Sequence, residues 1–340
     1  LGSTGDGQTV FCLPNWGIHD HVKLLGYIDL PGMATPNAVT ASSCSPNLEG
    51  GVSHYDYRFA TAAERAAGWV DESYGRAGFA VVTSELDGKA AFIDLQPLLA
   101  RIREQYFTSQ LLADAARNAG FGAGQWPYTF AQDASMQPRL IKVVDVPSPS
   151  AVRASLFASE GRPAVAVIAS RLGKVHVFEL GDLATEDPAD ANDVRLHATV
   201  QVGANPCAIA YQHFADPFRY DQGVSGFSCV NWVFLICCRG DREIAWLEVT
   251  PSGAAVYRRF RDSRLVDPVN VHQNRINSEN GGYFFAVCDF KGRKVVNYRV
   301  GPVRIHDGWI ELPAGAPEVE CTGWMDFPGH PFALSADNVP

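Results

Sequence analysis

The feature that most constrains this chain is a hairpin written four times: AVVTSELDGKAAFIDL from Ala80, AVIASRLGKVHVFEL from Ala166, FLICCRGDREIAWLEV from Phe234 and FFAVCDFKGRKVVNYRV from Phe284. Each copy has an apolar strand, a short turn with Gly and a cationic residue, and a second strand whose residues alternate. Units recurring at intervals of tens of residues signal a repeat architecture, because one such unit cannot bury both of its faces and must stack on neighbours.

The flanks read as further strands. AVRASLFA from Ala151 precedes the second hairpin and RLHATVQV from Arg195 follows it. CAIAYQHF from Cys207 and AAVYRRF from Ala254 bracket the third, VNVHQNRI from Val269 opens the fourth, and NAVTASS from Asn37 with RLIKVVDV from Arg139 bracket the first. Four antiparallel strands per unit, joined by a crossing loop, is the blade of an all-β propeller. At the ends, QTVFCLP from Gln8 and KLLGYIDL from Lys23 read as late strands lacking a first one, and GHPFALSADNVP reads as a first strand with nothing after it. Pairing the two would close the ring and remove an exposed edge.

The segment VQVGANPCAIAY from Val200, together with the GK and GRK hairpins, resembles the YVTN-type and wider WD40-like propeller superfamily. The resemblance covers about two thirds of the chain and implies one domain over 1–340. It departs in count: four blades plus one split between the ends are readable, where that superfamily usually has seven. A five-bladed ring with long insertions, further divergent blades and an incomplete chain all remain open.

Two stretches do not fit blades and are expected to be insertions: 46–76, Ala-rich around TAAERAAGW, and 96–138. In the second, Leu98, Leu99, Ile102, Tyr106, Leu111, Leu112 and Ala115 recur at helical spacing, with GFGAG from Gly120 as the stop. Long insertions in compact folds tend to be functional. Trp126, Tyr128 and Phe130, just after this helix, are expected to be exposed partner contacts.

The apolar fraction of 46% suits a folded core, and the net charge of -9 supplies no basic stripe for a nucleic-acid backbone. No apolar run reaches the roughly 18 residues that cross a bilayer. The start at Leu1 leads us to expect a processed product, periplasmic or extracellular, and the even count of eight cysteines is compatible with disulfides there. Cys237 and Cys288 also fit as small core residues on equivalent strands.

Candidate chemistry is sparse. His19 and His21 share one face of an extended segment and could ligate a transition metal with further help. DLATEDPADAND from Asp182 offers five carboxylates of the sort Ca²⁺ takes, but it lacks the EF-hand pattern and reads first as a solvated connecting loop. Otherwise no cofactor is expected. Arg261 and Arg264 either pair with Asp262 and Asp267 between blades or face a ligand carboxylate, and His272, Asn274, Arg275 and Asn277 form a candidate ligand strip on a first strand near the axis. No GxSxG, HExxH, P-loop or dinucleotide fingerprint is present. The expectation is therefore a non-catalytic, exported propeller that binds a protein partner or a second copy of itself. The alternative is a propeller enzyme of lactonase or quinoprotein type with a cation or ligand in the axial channel.

Overall fold

The computed structural model describes residues 23–44, 77–155 except 121, 163–212, 231–274, 284–301 and 317–334, with short pieces at 2–3, 9–10, 62–63, 303–305 and 308–310. A ribbon of β1 (Gly2–Ser3) and β2 (Thr9–Val10) is followed by four four-stranded antiparallel sheets, each a meander in chain order. Blade 1 is β3 (Ala38–Cys44), β4 (Ala77–Ser84), β5 (Lys89–Asp94) and β6 (Arg139–Asp145). Blade 2 is β7 (Pro149–Ala154), β8 (Val165–Ser170), β9 (Lys174–Glu179) and β10 (Arg195–Gln201). Blade 3 is β11 (Pro206–Gln212), β12 (Trp232–Cys238), β13 (Glu243–Thr250) and β14 (Gly253–Arg261). Blade 4 is β15 (Pro268–Asn274), β16 (Phe284–Asp289) and β17 (Lys294–Val300), then a small hairpin of β18 (Val303–Ile305) and β19 (Gly308–Ile310), then β20 (Val319–Asp326). The four repeated hairpins are thus the two middle strands of each blade.

These middle strands are apolar throughout because both of their faces are covered. In β8, Ala166 and Ile168 join Phe79, Val81 and Phe92 of blade 1, whereas Val165, Val167 and Ala169 join Phe234, Ile236 and Cys238 of blade 3. In β12, Val233, Leu235 and Cys237 face the other way, onto Phe285, Val287 and Tyr298 of blade 4, where Trp246 meets Phe285 edge-on at 5.5 Å. Strand alternation therefore feeds three separate cores, one in each seam between consecutive blades. The first strands β3, β7, β11 and β15 touch in succession. Sheets stacked face to face with their first strands adjacent are the blades of a β-propeller.

The insertion at 96–138 lies between the third and fourth strands of blade 1, but it holds two helices, not one: α1 (Gln96–Phe107) and α2 (Gln110–Arg117). Ser109 is extended and its hydroxyl accepts from the Leu112 amide at 3.2 Å, so it ends one helix and caps the next. The break resets the helical phase. Ala113 and Ala116 turn inward, while Leu111, expected on the buried stripe, is 79% exposed.

The stretch Lys23–Leu30, expected to be a blade strand, is irregular. Gly26 has φ +155° and lies under the Phe130 ring, where a Cβ would sit 2.5 Å from a ring carbon, and Lys23 Nζ is held by the carbonyls of Gly122, Ala123 and Gln125. The segment is spent on covering the insertion. Residues 329–334 carry no strand, and 4–8, 11–22 and 335–340, on which ring closure also depends, lie outside the described residues. So does the 46–76 insertion apart from 62–63.

Candidate binding face

All four blade hairpins turn at one end of the propeller, and each is tied there by the last residue of its second strand. Ser84 donates to the Thr35 carbonyl at 2.9 Å and Ser170 to that of Pro147 at 2.5 Å. Asp289 accepts from the amides of Val266, Asp267 and Gly292 at 2.7, 2.8 and 3.0 Å. In blade 3 the same position is Cys238, against which Gly203 packs so closely that a Cβ would lie 2.8 Å from Cys238 Cβ. All four residues are buried, and each fixes the loop that enters its own blade.

One residue further on, side chains bridge the seams. Arg171 of blade 2 pairs with Glu85 of blade 1 and donates to Asn205 Oδ1 of blade 3 at 3.0 Å. Arg239 of blade 3 makes two bonds, 2.6 and 2.8 Å, to Asp267 at the start of blade 4, and this holds the Asp267 carboxyl below its usual range. Closer to the axis, a donor just after a proline crosses each seam to the next blade. Asn37 Nδ2 reaches the Pro149 carbonyl at 3.2 Å, Ser150 Oγ that of Pro206 at 2.6 Å, and Cys207 Sγ that of Pro268 at 3.8 Å.

Charge on this face is sorted. The carboxylates on its turns are engaged within the fold: Asp87 accepts from Ser84 and Thr35, which lowers its pKa, and Asp241 accepts from the Ala204 amide at 2.6 Å, whereas Asp145, paired with Lys89, and Asp326 stand exposed on the fourth strands at this end. Lys174, Arg242 and Lys291 are exposed on the hairpin turns and form no ion pair with a described residue. On the same turns and loops Leu86 is 84% and Leu172 65% exposed, and Val266 is exposed beside Asp267.

The residues singled out in the sequence are distributed differently from expectation. Arg261, with Arg259, neutralises Glu243, which is 2% exposed, and Arg264 pairs with Asp262 at 2.8 Å, so both arginines are engaged in ion pairs within the fold. Asp262 also accepts from the Tyr298 hydroxyl at 3.0 Å, and burial drives that phenol upward. Of the expected pairs among these residues, Arg264 with Asp262 is formed, while Asp267 pairs instead with Arg239, which the sequence reading did not single out. His272 lies four residues into β15, roughly 13 Å from the hairpin end, and its Nδ1 bonds the Gln273 carbonyl at 2.8 Å. Asn274 ends the same strand, so neither is brought together with Arg261 or Arg264. Arg275, Asn277, His19 and His21 lie outside the described residues. Among the described residues no three His, Cys, Asp or Glu side chains converge as a metal set. In the acidic loop, Asp190 and Asp193 accept backbone amides, and Lys142 Nζ binds the Ala191 and Val194 carbonyls, so the loop buttresses blade 1.

The aromatic trio is also not an open contact. Trp126 is 8% exposed, donates from Nε1 to the Tyr106 hydroxyl at 2.9 Å, and meets Tyr106 and Tyr128 edge-on, with the Arg101 guanidinium 5.7 Å from its ring centre. Phe130 covers Gly26. Trp126 and Tyr128 join Tyr106 in the insertion's own core, because two short helices bury too little without them.

The hairpin-end ties and seam donors escaped sequence reading. Their one shared signal is the proline opening each blade: Pro36, Pro149, Pro206 and Pro268.

No family model matches the chain, and no curated protein matches it. Among solved structures, it is similar to BBS1N in complex with ARL6DN in a mercury-soaked crystal, at 10% identity over 83% of this chain and 57% of that one, with a TM-score of 0.39. The lead-soaked form of that complex matches at 10% identity over 68% and 50%, TM-score 0.34. An active polycomb repressive complex 2 in the basal state matches at 12% identity over 44% and 27%, TM-score 0.31. The chain spans little more than half the length of the first of these. The propeller assignment rests on the sheets and seams themselves. Among the described residues no helix is long and apolar enough to cross a membrane.

Proposed function

We propose that this propeller is a protein-binding module that docks its partner on the hairpin face, and that the docked segment presents carboxylates with apolar side chains between them. The observation that carries this reading is the arrangement of the hairpin turns: their carboxylates Asp87 and Asp241 are engaged within the fold, and Lys174, Arg242 and Lys291 remain outward beside the exposed Leu86 and Leu172. On a chain of net charge -9, cations that form no ion pair with a described residue steer an acidic segment to these turns. The leucines supply the desolvated contact that gives affinity. The insertion, where the sequence suggested the contact, has committed its aromatic rings to its own core.

The test is fluorescence anisotropy with labelled synthetic peptides in which Glu alternates with Leu or Phe, against Lys/Leu peptides of equal length and a single-stranded oligodeoxynucleotide. The expected result is saturable, salt-weakened binding of the acidic peptides, reduced about tenfold or more by Leu86→Glu with Leu172→Glu. Both residues are exposed, so the variant should keep its near-UV circular dichroism. Equal binding by the variant, no binding of the acidic peptides, or preference for the oligonucleotide would overturn the reading.

A further inference from the structure

Cys207 breaks a chemical pattern that the other seams keep. Where blade 1 crosses to blade 2 with an amide and blade 2 to blade 3 with the Ser150 hydroxyl, blade 3 crosses to blade 4 with a thiol, a far weaker donor. The two positions are equivalent. Ser150 also reaches the carbonyl of its own second strand, Ala169, at 3.3 Å, just as Cys207 reaches that of Cys237 at 3.5 Å. Each is the extra residue of a bulge just after the opening proline, between Pro149 and Ala151 in one case and Pro206 and Ala208 in the other. A serine would serve the seam better, so hydrogen bonding alone does not account for sulfur at this place.

The surroundings suit sulfur chemistry. The bulge sets Cys207 between the residues paired with Cys238 and Cys237, its sulfur reaches the Cys237 carbonyl at 3.5 Å, and both side chains pack in the core of the same seam. Adjacent antiparallel strands hold facing Cα atoms about 4.5–5.5 Å apart, inside the range a disulfide spans. The positive charges of Arg239 and Arg171, which pair with Asp267 and Glu85, act on the same sulfur. The Cys237 hydrogen bond first, then the arginines, lower the Cys207 thiol, while the same contact and full burial push Cys237 up, so the pair divides into a partly exposed nucleophile and a protonated partner.

We propose that Cys207 is a site of oxidation by hydroperoxides, with Cys237 as the resolving thiol that converts it to an intra-blade disulfide. In the first step the Cys207 thiolate attacks one peroxide oxygen, the O–O bond breaks, sulfur is oxidised by two electrons to sulfenic acid, and the other oxygen leaves as an alkoxide or hydroxide that takes a proton from water. In the second, Cys237 sulfur attacks the sulfenic sulfur, the S–S bond forms, and the departing hydroxide takes the Cys237 proton and leaves as water. The disulfide removes the S–H donor from the Pro268 carbonyl and from that of Val269, 3.4 Å away, so oxidation releases the axial tie between blades 3 and 4. This does not depend on what the hairpin face binds.

The experiment treats the folded chain with hydrogen peroxide, with and without dimedone, and maps cysteines by peptide mass spectrometry. Wild type is expected to lose about 2 Da and yield a peptide linking Cys207 to Cys237. Cys237→Ser is expected to accumulate the dimedone adduct on Cys207, and Cys207→Ser to lose both products while staying folded, since serine does this work in blade 2. Iodoacetamide labelling of Cys207 should show a midpoint below the roughly 8.5 of a free thiol. Equal adduct formation on Cys288 or Cys321, no cross-link in folded wild type, or an undiminished mass loss in Cys207→Ser would overturn the proposal.

Discussion

The two faces of this propeller are closed by opposite strategies. At the hairpin face every blade repeats one device, a buried residue at the end of the second strand that holds the incoming loop, although the residue changes from Ser84 and Ser170 to Cys238 and Asp289. At the other face blade 1 carries a helical insertion, with a core of Tyr106, Ala116 and Trp126 and a foothold on blade 2 through Gln96 and the Glu186 carbonyl. A repeated tie makes a face rigid without covering it, so its turns stay open to a partner. The insertion turns its Trp126 and Tyr106 rings onto each other and leaves Leu111 exposed.

The sharpest way to break this contrast is to remove a tie. Asp289→Ala orphans three amide donors at a fully buried site, and Gly292, whose Cβ would fall 2.3 Å from Asp289 Oδ2, leaves no side chain to replace the carboxylate. Unsatisfied buried donors cost about 1–3 kcal/mol each, partly recovered by water, so a global loss of about 4 kcal/mol is expected in urea unfolding. A loss under about 1 kcal/mol would mean that the loop is held by the seam contacts instead. Trp126→Ala should cost about 3 kcal/mol but be felt locally. Hydrogen exchange is expected to quicken over α1 and α2 while β8 and β12 keep their protection; equal loss in the blades would show that the insertion is part of the propeller core.

The same contrast explains what could be read in the sequence. The middle strands were legible because burial on both faces makes them continuous apolar runs ending in a turn, and flanking strands such as Arg195–Gln201 were found by walking outward from them. β20 was not, because a second hairpin separates it from β17 and Trp324 and Met325 on it stand exposed, which blurs the alternation. The helical insertion was legible in existence but not in phase, since Ser109 looks like any polar helix residue until its cap is seen. The candidate face was nearly silent. A serine, a thiol and a carboxylate hold the incoming loop at equivalent places, the serines by donating and the carboxylate by accepting, and this leaves no shared letter to find. Arg261 and Arg264 drew notice for the opposite reason: clustered charge is conspicuous in sequence even when, as with Glu243 and Asp262, it is spent within the fold.

A smaller effect sharpens the comparison from the electrostatic side. The Arg239–Asp267 pair crosses the seam at the hairpin face, and the Arg239 side chain is 35% exposed, so solvent screening limits the pair to about 1 kcal/mol. Because the folded Asp267 pKa lies below its unfolded value, this stabilisation is fully present above about pH 4 and is lost as pH falls through the lower folded value. The stability gap between wild type and Asp267→Asn, followed by urea unfolding from pH 7 downward, is therefore expected to be constant near neutrality and to close in acid. Asp262 and Asp87, whose pKa values are also lowered, titrate in both proteins and cancel from the difference. A gap that persists unchanged at pH 3 would assign the role of Asp267 to neutral hydrogen bonding, and the seam would then be held at this end by geometry rather than by charge.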